Sequence, residues 1–208
     1  MSKKLSRKAS DVLSRNGSSV RRVRANLRNT FQAATDQDIL GGLVWYADAH
    51  AFAFDLARAT DTDLVTVAAV IAALSPQTRW EANKVAATEL LKNGTRAAGM
   101  LVSNHERALR VLRAGQHNAL SALQIKGDES APKIAAFARN ILGDTTRVTI
   151  DVWATRAALG AWDSVPLLSR VGMYDAIADQ YRFVAAEYGM SAPDFQAIVW
   201  IAARGSAV

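Results

Sequence analysis

From residue 36 onward the chain repeats an apolar spacing of three and four residues, and that period fixes the class of fold open to it. Asp36–Asp38 offers caps for a helix through Ile39, Leu43, Tyr46, Ala47, Phe54 and Leu56. Asp61–Asp63 caps a second, carrying Leu64, Val67, Val70, Ile71 and Leu74, which Pro76 ends or bends. A third is predicted from about Arg79 to Leu91, closed by Asn93-Gly94. Shorter helices fit 106–113 and 118–123. The pattern then predicts helices over 131–142, 152–159, 173–188 and 194–203, stopped by glycines at 143, 160, 189 and 205. No segment alternates with period two for more than a few residues, and no internal repeat is present. The expectation is an all-α fold.

At 208 residues the chain can bury one full core, or two small lobes sharing a cleft. It has no cysteine, which excludes a disulfide scaffold, a zinc-thiolate site and an iron–sulfur cluster. The longest charge-free apolar stretch, Leu64 to Thr78, has 15 residues. A membrane span needs roughly 20, so this stretch reads as a buried helix and no membrane partner is expected. The histidines His50, His105 and His117 lie on separate segments without metal-ligand spacing, so no metal is expected.

Net charge is +6, unevenly placed. Residues 1–35 carry nine basic side chains, Arg21, Arg22 and Arg24 among them, against Asp11 alone; the other 173 residues carry 16 basic and 18 acidic groups. The basicity belongs to the N-terminal segment. This divides the chain into a basic, flexible arm over 1–35 and a helical domain over 36–208. Such an arm suits a polyanion, because each Lys or Arg set against a phosphate releases counterions. The same Ser-rich, acid-poor composition also fits an organelle transit peptide or a solubilising tail.

The segment 123–160, LQIKGDESAPKIAAFARNILGDTTRVTIDVWATRAALG, carries the chemistry. Ile134, Phe137, Ala138 and Ile141 share one helical face. Pro132 suits the first turn of that helix, where its missing N–H costs nothing. Lys133 then lies in the same first turn, at the positive end of the helix dipole. A cation is mildly disfavoured there, which raises the fraction of free amine and suits a nucleophile. Asp151 immediately precedes the next helix, where its carboxylate can cap free N–H groups. A fixed anion at such a point can stabilise a developing cationic sugar or orient a nucleophile at an anomeric carbon.

A turn, then Lys-x-Ala on a helix, then a hydrophobic-Asp-x-aromatic step into another helix resembles the helix-hairpin-helix DNA glycosylases, including the endonuclease III and 8-oxoguanine glycosylase branches. In that family the lysine and aspartate stand about 18–19 residues apart; Lys133 and Asp151 are 18 apart. Residues 73–83, ALSPQTRWEAN, are similar to the family's Leu-Ser-x-Gln-Thr segment followed by an asparagine. The likeness is anchored over roughly 64–160. Two departures stand out: Glu129 and Ala131 occupy hairpin positions where the family commonly has glycine, and Gln77 to Asn83 is one residue shorter than in the endonuclease III branch. The chain is also similar to glycosylase-fold proteins of bacteriophages, some of them linked to thymine hypermodification.

The resemblance implies two helical lobes around a cleft, with DNA as partner and no cofactor. Lys133 and Asp151 would be catalytic. Gln77, Asn83, Trp153 and Gly127 would contact the DNA, joined by Arg21, Arg22 and Arg24 of the basic segment. Each also has a plainer role open to it: a solvated first-turn lysine, an N-cap, the start of a helix. Trp80, Trp153, Trp162 and Trp200 fit a core as well as a base-stacking surface, and Gln196 and Trp200, at i and i+4, either close the cleft or belong to an ordinary last helix. The implied activity is removal of a modified or damaged base at its glycosidic bond, with AP lyase activity if Lys133 forms a Schiff base. Group transfer onto a flipped base, or DNA binding without catalysis, are the alternatives. The implied setting is the cytoplasm of a bacterium or phage-infected host.

Overall fold

A computed structural model describes residues 2–124, 131–160 and 165–205, with side chains from Lys8 onward except that of Val165. Among these residues there are eleven α-helices, one 3₁₀ helix and no strand, so the chain is all-α. The chain forms two compact units, one of residues 1–46 and 145–207, the other of 47–144. The long helix α3 (Asp36–Ala59) contributes to both.

The second unit is built around α4 (Leu64–Leu74), whose residues from Thr66 to Leu74 are all buried. Its faces meet α5 (Trp80–Asn93), α6 (Val102–Ala114), α7 (Ala119–Ala122) and α8 (Ala131–Ile141). A helix apolar on every side is stable only when enclosed, and full burial of Val67, Val70, Ile71 and Leu74 contributes about 1.5–3 kcal/mol each relative to exposure. Its start is set by Asp63, whose carboxylate accepts the Thr66 N–H at 2.8 Å. Gly94, at φ 68°, closes α5 in the left-handed region.

The first unit contains α1 (Ser2–Arg15), α2 (Val20–Gln32), α9 (Val152–Leu159), the 3₁₀ helix Val165–Ser169, α10 (Met173–Glu187) and α11 (Ala192–Arg204), with the first part of α3. The N-terminal segment is not a separate arm. Val12, Leu13, Val23 and Leu27 enter one core cluster with Ile150, Ala154, Ala158, Tyr181 and Phe195. The reading of 1–35 as an arm weighs net charge, which is blind to the apolar side chains that α1 and α2 bury. The stripe Val20, Val23, Leu27 and Phe31, spaced by three and four, is a narrow burial seam that decides the outcome. Ser19 caps α2 through the Arg22 N–H at 3.1 Å, and Asn26 Nδ2 donates to the Ala158 carbonyl at 3.0 Å, tying α2 to α9. Glu187 accepts two hydrogen bonds from Arg28, at 2.9 and 2.8 Å.

The other predicted helices are present, most within about two residues of the expected ends, 152–159 at its expected bounds and α6 starting four residues early. No helix among the described residues is long and apolar enough to cross a membrane.

Candidate functional site

In the first unit the candidate centre is Asp151. It stands at the N-cap of α9, where Oδ1 accepts the Ala154 N–H at 2.8 Å. Oδ2 accepts the indole N–H of Trp200, from α11, at 2.9 Å. A carboxylate offers about four acceptor sites, so this half-buried group is oriented by two donors with acceptor capacity remaining.

The extended segment leading to Asp151 is fixed as firmly. The Tyr174 hydroxyl donates to the Val148 carbonyl at 2.8 Å and accepts the Ile150 N–H at 3.2 Å. Tyr181, fully buried, donates to the Ala154 carbonyl at 2.9 Å. Burial pushes both phenols above their ordinary range. Two tyrosines of α10 thus hold the chain on either side of the carboxylate.

Around Trp200 the packing is aromatic. Its ring lies 5.2 Å from that of Trp45, tilted by 44°, and the Arg204 guanidinium stands 5.0 Å from its centroid. One turn back, Gln196 Oε1 accepts the Tyr46 hydroxyl at 2.9 Å in the interior. Gln196 and Trp200 do share a face of the last helix, and the two divide its work: one binds the core, the other binds Asp151. Trp153, half-buried in the first turn of α9, carries the Arg156 guanidinium 5.0 Å from its ring centroid.

The second unit holds Lys133, half-buried in the first turn of α8, as expected from sequence. Its Nζ donates to Ser75 Oγ at 3.4 Å. The two residues are 58 apart in sequence, so folding brings the Lys-x-Ala helix start beside the Ser-Pro-Gln-Thr turn. That turn closes by a Thr78 N–H to Ser75 carbonyl bond of 3.2 Å, and Gln77 sits at its tip, exposed, at φ 57°. A non-glycine residue in the left-handed region is uncommon and costs of order 1 kcal/mol, so the surroundings must impose it. Gln77 does not begin a helix; α5 starts three residues later, at Trp80.

The imposing groups come from α6. Asn104, 2 % exposed, donates through Nδ2 to the carbonyls of Pro76 at 2.7 Å and Leu74 at 3.3 Å. Arg107 Nη1 donates to the Ala73 carbonyl at 3.4 Å and to Asn104 Oδ1 at 3.2 Å. Donors thus meet the open carbonyls at the C-terminal end of α4, where a cation is also favoured by the dipole. Nothing in the linear pattern marks these two residues. Both stand 28 or more positions from the backbone groups they hold.

Two predicted contacts take other places. Asn83 is 1 % exposed and donates to the Ile71 carbonyl at 3.1 Å, so it ties α5 to α4 instead of meeting a partner at the surface. Arg24 is half-buried, donating through Nε to Gln180 Oε1 at 2.8 Å, with its guanidinium 3.2 Å from the Phe183 ring centroid. Burial holds it below its ordinary range, which fits a structural cation more than a phosphate contact. Arg21 and Arg22, by contrast, are exposed on α2. Gly127, Glu129 and Trp162 lie outside the described residues. Among the described residues no group of three His, Asp or Glu side chains is placed to hold a metal. Lys133 belongs to the 47–144 unit and Asp151 to the other.

Fold and candidate residues together define an all-helical protein with a doubly held carboxylate in one unit and a lysine beside a strained glutamine turn in the other. The chain belongs to a family of unknown function (DUF7178), whose model matches residues 9–207. No curated protein and no solved structure matches it.

Proposed function

We propose that this protein binds DNA, turns a modified or damaged nucleotide out of the duplex, and acts at its glycosidic bond, within a helical architecture of the helix-hairpin-helix glycosylase type. The observation that carries the reading is Asp151. A carboxylate oriented by a backbone N–H and an indole N–H, with acceptor sites left over, is preorganised for positive charge developing on a deoxyribose ring as the bond to the base breaks. Turning out the nucleotide costs a few kcal/mol, least for a modified or mispaired base, which itself confers selectivity.

Lys133 supplies the nucleophile of the lyase activity. Its amine, in the neutral form, attacks the sugar C1′ as the base departs with the electron pair of the glycosidic bond, and the proton the amine gives up goes to the departing base. Ring opening then gives a Schiff base, from which loss of the 3′ phosphate cleaves the strand. The support is its place in the first turn of α8 beside the Ser75–Thr78 turn, from which Gln77 projects. Arg21 and Arg22 on the outer face of α2 serve as phosphate contacts.

The test incubates the full chain with duplexes carrying damaged or phage-type modified bases. Mass spectrometry of the products and borohydride trapping are the readouts. A released free base, lost in Asp151→Asn, supports the proposal. A trapped adduct lost in Lys133→Ala supports the lyase step. A heavier nucleoside in place of a free base replaces excision by group transfer. Unchanged DNA with every substrate, in a protein that binds it, leaves a binding module and ends the proposal.

A further inference from the structure

The helix α3 carries two apolar faces, and only one of them is buried. Gly42, Tyr46, Ala49, Ala53, Leu56 and Ala57 point inward. On the opposite side Leu40 is 65 % exposed, Leu43 45 % and Phe54 46 %, with Ala47 and Ala51 also exposed between them. Isolated exposed apolar residues need no explanation, but a stripe running the length of a 24-residue helix does.

We infer that this stripe pairs with its own copy in a second molecule, as an antiparallel helix pair with its two-fold axis at Ala47. The sequence is self-complementary about that residue. An antiparallel pair centred there sets each residue opposite the one equally far on the other side of position 47. Leu40 then meets the other copy's Phe54, Leu43 meets Ala51, and Ala47 meets Ala47. Large residues face aromatic or small ones, and the smallest pair lies at the axis, where the backbones must come closest. The ends fit as well: Asp36, in the first turn, meets Arg58, in the last, and both are exposed. This pairing is repeated by symmetry at the other end. A parallel pair would set Asp36 against Asp36 and Arg58 against Arg58.

The spacing along 36, 40, 43, 47, 51, 54 and 58 averages about 3.67 residues, slightly above the 3.6 of a straight α-helix, so contact persists along the pair with only a weak right-handed supercoil. The paired length is about 33 Å and the strip about 10–12 Å wide, or roughly 350 Å² of footprint per molecule. That is below the ~800 Å² per partner of a standard interface, so the dimer is a weak one that dissociates on dilution and is sought over a range from about ten to several hundred micromolar.

The chain has no cysteine, so a single introduced thiol reports on one position. The experiment measures mass by sedimentation equilibrium across that concentration range, and crosslinking by a short bis-maleimide in Ala47→Cys and in a control, Ser121→Cys, on an exposed site of α7. The expected result is a twofold rise in mass with concentration and, in Ala47→Cys, a covalent dimer well above the control. Ala47→Glu, which sets two carboxylates at the axis, abolishes the rise with the helical circular dichroism unchanged. Arg58→Glu abolishes it and Asp36→Arg added to it restores it. A single-chain mass at every concentration, a dimer indifferent to Ala47→Glu, or a crosslink no stronger than the control overturns the inference.

Discussion

Trp200 and Asp151 lie 49 residues apart in the chain and meet through one hydrogen bond, indole N–H to carboxylate Oδ2, at 2.9 Å. With the Ala154 N–H on the other oxygen, this fixes the orientation of the carboxylate plane and not merely its position. A bond to a charged acceptor is worth about 1.5–3 kcal/mol, and partial exposure of Asp151 places this one near the lower end.

Trp200→Phe therefore removes a donor while keeping most of the ring that packs on Trp45. The expected loss of stability is about 1.5 kcal/mol by urea unfolding. Asp151→Ala costs more, about 2 kcal/mol, because the cap of α9 goes with it. In the double variant the two losses do not add: Trp200→Phe has little further effect once the acceptor is gone. Additive losses would mean that the bond contributes nothing. On the proposed function, Trp200→Phe also lowers single-turnover base release while Kd for the duplex holds, because it acts by positioning Asp151.

Asn104 is the counterpart in the second unit. Truncation to alanine leaves the buried carbonyls of Leu74 and Pro76 without their donor, at a cost of about 2 kcal/mol. The local consequence is more informative. The 75–78 turn loses the contacts that oblige Gln77 to adopt positive φ, so amide exchange at Thr78, whose N–H closes the turn, rises selectively. Gln77→Gly, in contrast, relieves the strain and leaves stability equal or higher. If Gln77→Gly destabilises the chain, the turn is held by the glutamine side chain instead.

How much of this is legible in the sequence depends on the range of each signal. Helices are visible because period, caps and stop glycines are local; Asp63 and Gly94 act within five residues of where they stand. Lys133 and Asp151 stand out as helix-start residues for the same reason. What holds them does not. Trp200, Tyr174, Tyr181 and Asn104 act across 24 to 49 positions, on backbone carbonyls, N–H groups or one carboxylate, and no spacing rule encodes such partners. Asn83 reads as a surface residue, like any polar side chain, until the fold supplies its interior acceptor, the Ile71 carbonyl. The N-terminal helices read as an arm through their charge, a count that ignores a seam as narrow as Val23 and Leu27.

Gly42 separates propensity from packing. In an exposed helix, replacing glycine by alanine stabilises by about 1 kcal/mol. On α3, however, a Cβ at Gly42 would meet the backbone N and Cα of Ile198 at 2.6 and 2.7 Å, besides the Ile198 side chain. Backbone cannot rotate away, so α3 and α11 must part. Gly42→Ala is expected to destabilise by about 1–3 kcal/mol despite the propensity gain. Trp200 and Gln196 ride on α11, so the shift also moves Trp200 from Asp151. A lower Tm with altered tryptophan fluorescence is the expected pair of readouts. A raised Tm would show that the close approach does not exist in solution.

The phenols set the alkaline limit of the fold. Burial raises the Tyr46, Tyr174 and Tyr181 hydroxyls above their ordinary value of 10.0. In the unfolded chain they ionise near that value; in the folded chain they keep their protons. Above pH 10 the unfolded state thus binds fewer protons than the folded one, and stability must fall as pH rises. Each such group contributes about 1.4 kcal/mol of loss per pH unit, and the three together about 4 kcal/mol per unit once the pH is well above 10. A domain of ordinary stability then unfolds within about two or three units. The expected observation, made in Tyr188→Phe so that the exposed fourth tyrosine adds no signal, is that phenolate absorbance and loss of helical circular dichroism rise together as one cooperative step. Tyr181→Phe, which removes one titrating group along with its bond to the Ala154 carbonyl, makes the pH dependence shallower even as it lowers stability at neutral pH. A phenolate signal that develops with the helices intact would place these hydroxyls in contact with solvent, and would remove two of the supports of the Asp151 segment.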